Sequence, residues 1–303
     1  MLNHRRTTGQ RIFSIFNVAF LSLIAFSALY PFWYLTIISL NSGMDSARGG
    51  IFLWPRVPTF ENILTVLKWD MFSRSLWISI MRVLVFVPLH LLITSSVAYA
   101  MSRKEFMARK FIAVYMLITM LFGGGLIPYY LVLYGLGLIN TFWVYIIPGL
   151  FSVWSMIVMR TSFYEISDSI VESAKIDRAS DFTIYARIMI PLSKPMLATL
   201  GLFAAVGQWN DWFSGAFFVT NKNLMPLQTF VQYMLMRGGA EDLVTQAARM
   251  HMEKMTAGSN ASTYTSNSLK FTAVLLACLP IIIIYPLLQK YFVKGVMIGS
   301  IKE

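Results

Sequence analysis

From residue 12 to residue 40 the chain runs through twenty-nine positions without one Asp, Glu, Lys or Arg. A run of that length crosses the roughly 30 Å hydrocarbon core of a bilayer with residues to spare. In lipid every backbone N–H and C=O must be satisfied within the protein, which leaves helices or a closed barrel, and no strand-like alternation stands out along the chain. Arg5, Arg6 and Arg11 precede the run, but a secretory signal has a shorter apolar region and a small-residue cleavage site. The run therefore reads as a retained first transmembrane helix. Five more apolar stretches follow at about 76–101, 111–134, 141–159, 196–219 and 269–288. The expected fold is all-α: a polytopic membrane protein of six transmembrane helices, with residues 12–303 forming one transmembrane domain behind an N-terminus at 1–11.

The sequence is 57% hydrophobic and 13% charged, which places its 303 residues with membrane proteins. A net charge of +11 in a soluble protein would suggest nucleic acid. In a membrane protein it reflects Lys- and Arg-rich cytoplasmic loops, so no nucleic-acid partner is expected and membrane lipid is. Six spans put both ends on one side. Residues 1–11, 101–110, 160–195 and 289–303 then collect fifteen of the 25 Lys and Arg, and the crowded side is cytoplasmic. Loops at 41–75 and 220–268 face outward, and the loop at 160–195 faces inward. Within the second outer loop, Leu243, Ala247 and Met250 recur at helical spacing and predict a surface helix near 241–255. Gly123, Gly124, Gly125 and Pro128 mark the third span as closely packed or pore-adjacent, close packing being the commoner reason. The single cysteine, Cys278, lies in an apolar run and allows no internal disulfide.

The polar interval from Ser167 to Pro195 has helix-start signals of its own. Ser169 stands three residues before Glu172, the capping-box spacing, and a second start at Ser180 sets Phe182, Tyr185 and Met189 on an apolar stripe ending before Pro191. Two short helices joined by a bend make a compact knob. On pattern alone, an amphipathic pair lying on the membrane surface and anchored by Arg187 and Lys194 fits equally well. The residues Glu172-Ser173-Ala174, Asp177-Arg178-Ala179, Phe182 and Ile190-Pro191 resemble the EAA loop of permease subunits of binding-protein-dependent ABC importers. That resemblance implies a coupling helix, between the fourth and fifth spans, that docks on a separate ATP-hydrolysing subunit. Glu172, Ser173, Ala174, Asp177, Arg178, Ala179 and Phe182 are then the coupling residues: Glu172 and Asp177 to cap and position the knob, Ala174 and Ala179 to allow close approach, Arg178 to offer a salt bridge to the ATPase. Ser173 replaces the family's second Ala, and Arg178 replaces its Gly. If the bend needs positive φ, Arg178 bears a strain of about 1 kcal/mol, or the bend differs here.

No Gly-x-x-x-x-Gly-Lys phosphate loop occurs, His4, His90 and His251 are too dispersed for a helix-spaced metal pair, and no Gly-x-Ser-x-Gly turn appears. No catalytic residue, metal or cofactor is expected on this chain. Arg82 and His90 lie eight residues apart and share a face of the second span. Arg82 either snorkels to the outer interface or lines the solute path, where it could pair with a carboxylate; His90 is either a hydrogen-bonded core residue or a ligand. Trp209, Asn210, Asp211 and Trp212 end the fifth span with flat apolar faces and hydrogen-bonding groups, which suits sugar rings and equally an interfacial aromatic belt.

The Trp-Asn pair, the outer-loop segment LWPRVPTFENILTVL at 53–67 and the C-terminal QKYFVKGVMIGSIK at 289–302 resemble permeases of carbohydrate importers, in particular the branch for complex plant or algal glycans. The resemblance implies a second permease, two ATP-binding subunits carrying ATP and Mg, and an extracytoplasmic binding protein. It also implies an oligosaccharide solute, with acidic fragments of pectin or alginate fitting the branch, and a place in the cytoplasmic membrane. The solute-path residues are then Arg82, His90, Trp209, Asn210 and Asp211. Competing readings are an ion-gradient-driven transporter, which leaves the capped knob unexplained, a scaffold subunit without a solute path, and a permease for a smaller sugar or sugar phosphate.

Overall fold

In the first unit, α1 (Thr8–Ser39) starts where Thr7 and Gln10 form a capping box, Thr7 accepting from the Gln10 N–H and Gln10 from the Thr7 N–H. This computed structural model describes residues 7–236 and 265–298. The helix expected near 241–255, His4 and His251 lie outside the described residues. Contacts divide the chain into two units, residues 1–69 with 233–278, and 70–232 with 279–303. Only the last turn of α1 is buried, through Ile37, Ile38 and Ser39. The loop that follows carries α2 (Gly43–Ala47) and α3 (Glu61–Lys68) and is ordered by two buried asparagines. Asn41 accepts from the Val57 N–H at 2.7 Å and donates to Asp45 and Ser46, while Asn62 donates to the carbonyls of Ser39 and Asn41 and accepts from Ser268. The bond from Asn41, helped by Arg56, holds the Asp45 carboxyl below the usual carboxylate range.

The second unit is arranged along α4 (Asp70–Ser102), a helix of 33 residues that covers the second apolar stretch. Its buried positions, Phe72, Ser75, Ser79, Arg82, Phe86, His90, Thr94 and Ala98, recur every three or four residues and make one continuous stripe. Small residues on its neighbours let backbones come close: a Cβ on Gly201 would stand 3.1 Å from Leu91, and one on Gly149 would stand 3.0 Å from Phe86. α7 (Val153–Tyr164) and α11 (Lys194–Asn210) pack on this stripe.

The apolar stretches are less regular than the sequence suggests. The third divides into α5 (Arg109–Leu121) and α6 (Leu126–Gly135), bent by 117°. The expectation that Gly123 to Gly125 mark close packing is not met. No neighbour stands within 4 Å of the Cβ positions of Gly123 and Gly125, and Gly125 has φ +83°, so these glycines make the turn. The fourth stretch begins as two 3₁₀ turns at 142–145 and 147–149, and bends by 48° into α7. The fifth ends at Asn210 rather than near 219, followed by the short α12 (Phe213–Phe218) and α13 (Leu227–Met236). α14 (Ser266–Ile298) completes the described chain. Among the described residues the structure is all-helical, its one extended feature being an isolated bridge between Asn41 and Pro58. Among the described residues three helices are individually long and apolar enough to cross a membrane, and the number reaches six if each bent pair is one span.

Candidate functional site

The knob begins one turn-fragment earlier than its capping-box spacing suggests. Ser167, not Ser169, caps α8 (Asp168–Ile176), accepting from the Ser169 N–H, and Glu172 lies exposed in mid-helix. The reading of Ser169 and Glu172 as a capping box is therefore corrected: Ser167 sits at the extended dihedrals a cap needs, and Ser169 is already helical. The end of α8 is a Schellman motif. Ala179 N–H donates to the Ala174 carbonyl at 2.9 Å and Arg178 N–H to the Lys175 carbonyl at 3.0 Å, with Arg178 left-handed at φ +59°. The bend thus keeps the geometry that glycine would give and places an arginine in it. Asp177 is the C-cap residue through its backbone, and its side chain is exposed.

Ala174 and Ala179 are the hydrophobic contact that accompanies such a motif, and both are half-buried against the unit's own core. They face inward, so close approach of a partner to these two residues is not what their position provides. Glu172, Ser173, Asp177 and Arg178 are exposed, and two large apolar side chains stand out among them, Ile176 at 81% and Phe182 at 75% exposure. Phe182 has left the expected stripe; Ile184, Tyr185 and Met189 are the residues that turn inward. After α9 (Asp181–Ile184), capped by Ser180, the chain widens into a π turn at Tyr185–Met189, passes α10 (Ile190–Leu192), and meets α11 at 80°.

The knob sits on the end of α4. Val171, Ile184, Tyr185 and Met189 pack with Ala98, Tyr99 and Met101 in one core. Two ion pairs flank it, Lys175 to Glu105 at 2.6 Å and Lys104 to Asp168 at 3.1 Å. Donation from Lys175 holds the Glu105 carboxyl below its usual range, and the same bond raises Lys175. These partners lie some seventy residues apart, and no local pattern pointed to them.

In the first half of α4, twelve residues in from its start, Arg82 is wholly buried. Its Nε donates to Gln208 at 2.9 Å, Nη1 to the Asp211 carbonyl at 3.1 Å and Nη2 to Asp211 Oδ2 at 2.7 Å, and the guanidinium lies 4.8 Å from the centre of the Tyr145 ring. Gln208 also donates to the Tyr145 carbonyl, and Asp211 Oδ1 accepts from the Ser214 N–H. Arg82 does not snorkel: it is wholly buried and paired with Asp211. In this conformation three of its five donors are taken within the chain. Asp211, which the sequence places at the end of the fifth span, is the partner of Arg82.

His90 is 4% exposed, and its Nδ1 lies 3.0 Å from the Leu150 carbonyl and 3.3 Å from that of Gly149, with the ring stacked on Phe86. A carbonyl only accepts, so Nδ1 carries the proton and the imidazole staples α4 to the break before α7. Of the five residues assigned to a solute path, Arg82, His90 and Trp209 are buried; Asn210 is exposed, and Asp211 is partly so. Among the described residues no His, Cys, Asp and Glu cluster could hold a metal.

No family model matches the sequence. The chain is 31% identical to protein LplC of Bacillus subtilis over 98% of its length and 97% of that protein's. It is 28% identical to the polygalacturonan/rhamnogalacturonan transport system permease protein YtcP of the same organism, over 96% and 99% of the two chains. Among solved structures it matches, at a TM-score of 0.83 and 28% identity over 95% of this chain and 99% of the other, a bacterial ABC transporter involved in the import of the acidic polysaccharide alginate. The chain is a carbohydrate ABC importer permease. Its apolar helices are accordingly those of a membrane protein, and the chain is a transport subunit. The permease matches its relatives end to end, so the knob and the Arg82 network both lie inside the shared length.

Proposed function

We propose that this permease passes acidic oligosaccharides of the pectin or alginate kind across the cytoplasmic membrane, as one of two permease subunits driven by ATP and Mg on a separate pair of ATPase subunits. The observation that carries the solute class is the full-length likeness to an importer of alginate, and the name of YtcP points the same way. Arg82 no longer adds to that argument, since its charge is answered by Asp211. In this reading each bent pair supplies one crossing, giving six spans with both ends cytoplasmic. In the pair formed by 181–192 and α11, the crossing is α11, and 181–192 belongs to the knob.

The knob from Asp168 to Leu192 is the surface on which the ATPase docks. Its apolar tips Ile176 and Phe182 enter the partner, while Glu172, Ser173, Asp177 and Arg178 supply polar contacts around them. Ala174 and Ala179 hold the bend from behind. Solute is delivered by an extracytoplasmic binding protein to the outer face, where Asn210 and Asp211 reach a surface.

The solute class is tested with the complete importer in proteoliposomes. Trigalacturonate or an alginate trisaccharide, presented by the cognate binding protein, should stimulate ATP hydrolysis, and raffinose should not. Stimulation by raffinose alone would refute an acidic solute while leaving the importer assignment intact.

A further inference from the structure

The covalent path from the knob into the bundle is a poor transmitter of force. It runs through a π turn and then an 80° corner at Ser193 before α11 begins. The non-covalent path is better built. Tyr185, 8% exposed, is the first residue of the π turn, and its hydroxyl reaches α4, 2.7 Å from Ser95 Oγ and 3.2 Å from Ser96 Oγ. The proton inventory fixes the direction of this chain. Ser95 donates its one proton to the Leu91 carbonyl at 2.6 Å, so Tyr185 donates to Ser95, and Ser96 donates to Tyr185. Each hydroxyl donates once, and the tyrosine is held by two residues of one turn. Thirteen residues along the same unbroken helix, past Pro88 and about 20 Å away, Arg82 grips Gln208 and Asp211 at the far end of α11.

We infer that α4 is the rod that carries the coupling stroke, and that Tyr185 is the positioning residue that joins the knob to it through Ser95 and Ser96. Displacement of the knob moves α4 lengthwise or in tilt, and the Arg82 network passes that displacement to the break at Asp211, where α11 ends. The inference rests on the reading that the ATPase docks on the knob.

The test uses the assembled importer with Cys278→Ser and a spin label on Trp77→Cys. That position is 59% exposed, five residues from Arg82 toward the start of α4. Trapping nucleotide with vanadate should change the label's spectrum while Tyr185 is present. Tyr185→Phe keeps the ring and removes the hydroxyl with both its hydrogen bonds; the spectral change should shrink at least about fivefold, the factor one net hydrogen bond represents. Ser95→Ala combined with Ser96→Ala should do the same. A merely structural tyrosine would lower the melting temperature and leave the spectral change at full size, and that result would overturn the inference. No spectral change with Tyr185 intact would overturn it as well. Phe182→Glu separates the two ideas: if the ATPase stays bound to that variant, docking on the knob is the claim that fails.

Discussion

Arg178 occupies a left-handed position, at φ +59°, that L residues with a Cβ adopt at a cost of roughly 1–2 kcal/mol. The Schellman bonds from Ala179 and Arg178 hold it there, so the strain is borne by the helix end and not relieved by a different bend. Arg178→Gly should therefore raise the melting temperature of the purified complex, by the equivalent of up to about 1 kcal/mol after the greater freedom of glycine in the unfolded chain is subtracted. Arg178→Asn should be near neutral and Arg178→Val destabilising, and any other order would show that the dihedral is not what limits this turn. Arg82 makes a different case. Removing one partner of a buried pair leaves a charge without an answer and costs about 3–5 kcal/mol, here less because the Asp211 side chain is 29% exposed. Arg82→Met should be milder than Asp211→Asn, and the double variant should recover much of the loss. Additive losses in the thermal melts of these three variants would mean that the two side chains are not coupled.

At the scale of the element, the knob is clamped to α4 by a core and by two exposed ion pairs. Exposed pairs contribute about 0.2–1 kcal/mol and weaken with salt. Glu105→Gln should raise hydrogen exchange of the α8 amides by no more than about fivefold, and a much larger rise would mean the pair does more than hold a solvated surface. The pH dependence follows from the directions of the two shifts. The Glu105 carboxyl lies below its ordinary 4.5, so its share is present above that value and is lost as pH falls through the lowered one. Lys175 lies above its ordinary 10.5, so its share is present below that value and is lost as pH rises through the raised one. Between those limits the grip should not vary with pH. How much of this was legible in the sequence depends on the range of the cause. Apolar run length gave α1, α4 and α14 because a lipid-crossing helix is a local property. The start at Ser180 was readable for the same reason, whereas positive φ at Arg178 was one of two alternatives raised by the family resemblance, in which glycine stands there. Ser169 was read in place of Ser167 because both serines fit a cap and only the dihedrals choose between them. Asp211 beside Arg82, Glu105 beside Lys175 and Tyr185 beside Ser95 were not readable, since each joins segments that only the bundle brings together. Gly123 to Gly125 were misread because glycine signals a turn and a close contact with the same residue.

For the whole molecule, the proposed mechanism requires that the knob and the outer loop lie on opposite sides of the membrane, and the charge distribution predicts that they do. The side holding the knob carries fifteen of the 25 Lys and Arg, and basic loops stay cytoplasmic. Two exposed positions test it in the Cys278→Ser background. Ile176→Cys, at the knob's tip, should react with a membrane-impermeant maleimide only in inverted vesicles, and Met44→Cys, 60% exposed in the outer loop, only in intact cells or spheroplasts. Because Ile176 is also proposed to enter the ATPase, removing that subunit should speed its labelling in inverted vesicles several-fold and leave Met44→Cys unchanged. Labelling of Ile176→Cys from outside would reverse the orientation, and with it the mechanism: a knob facing away from the cytoplasm cannot receive work from ATP, whatever its resemblance to a coupling helix.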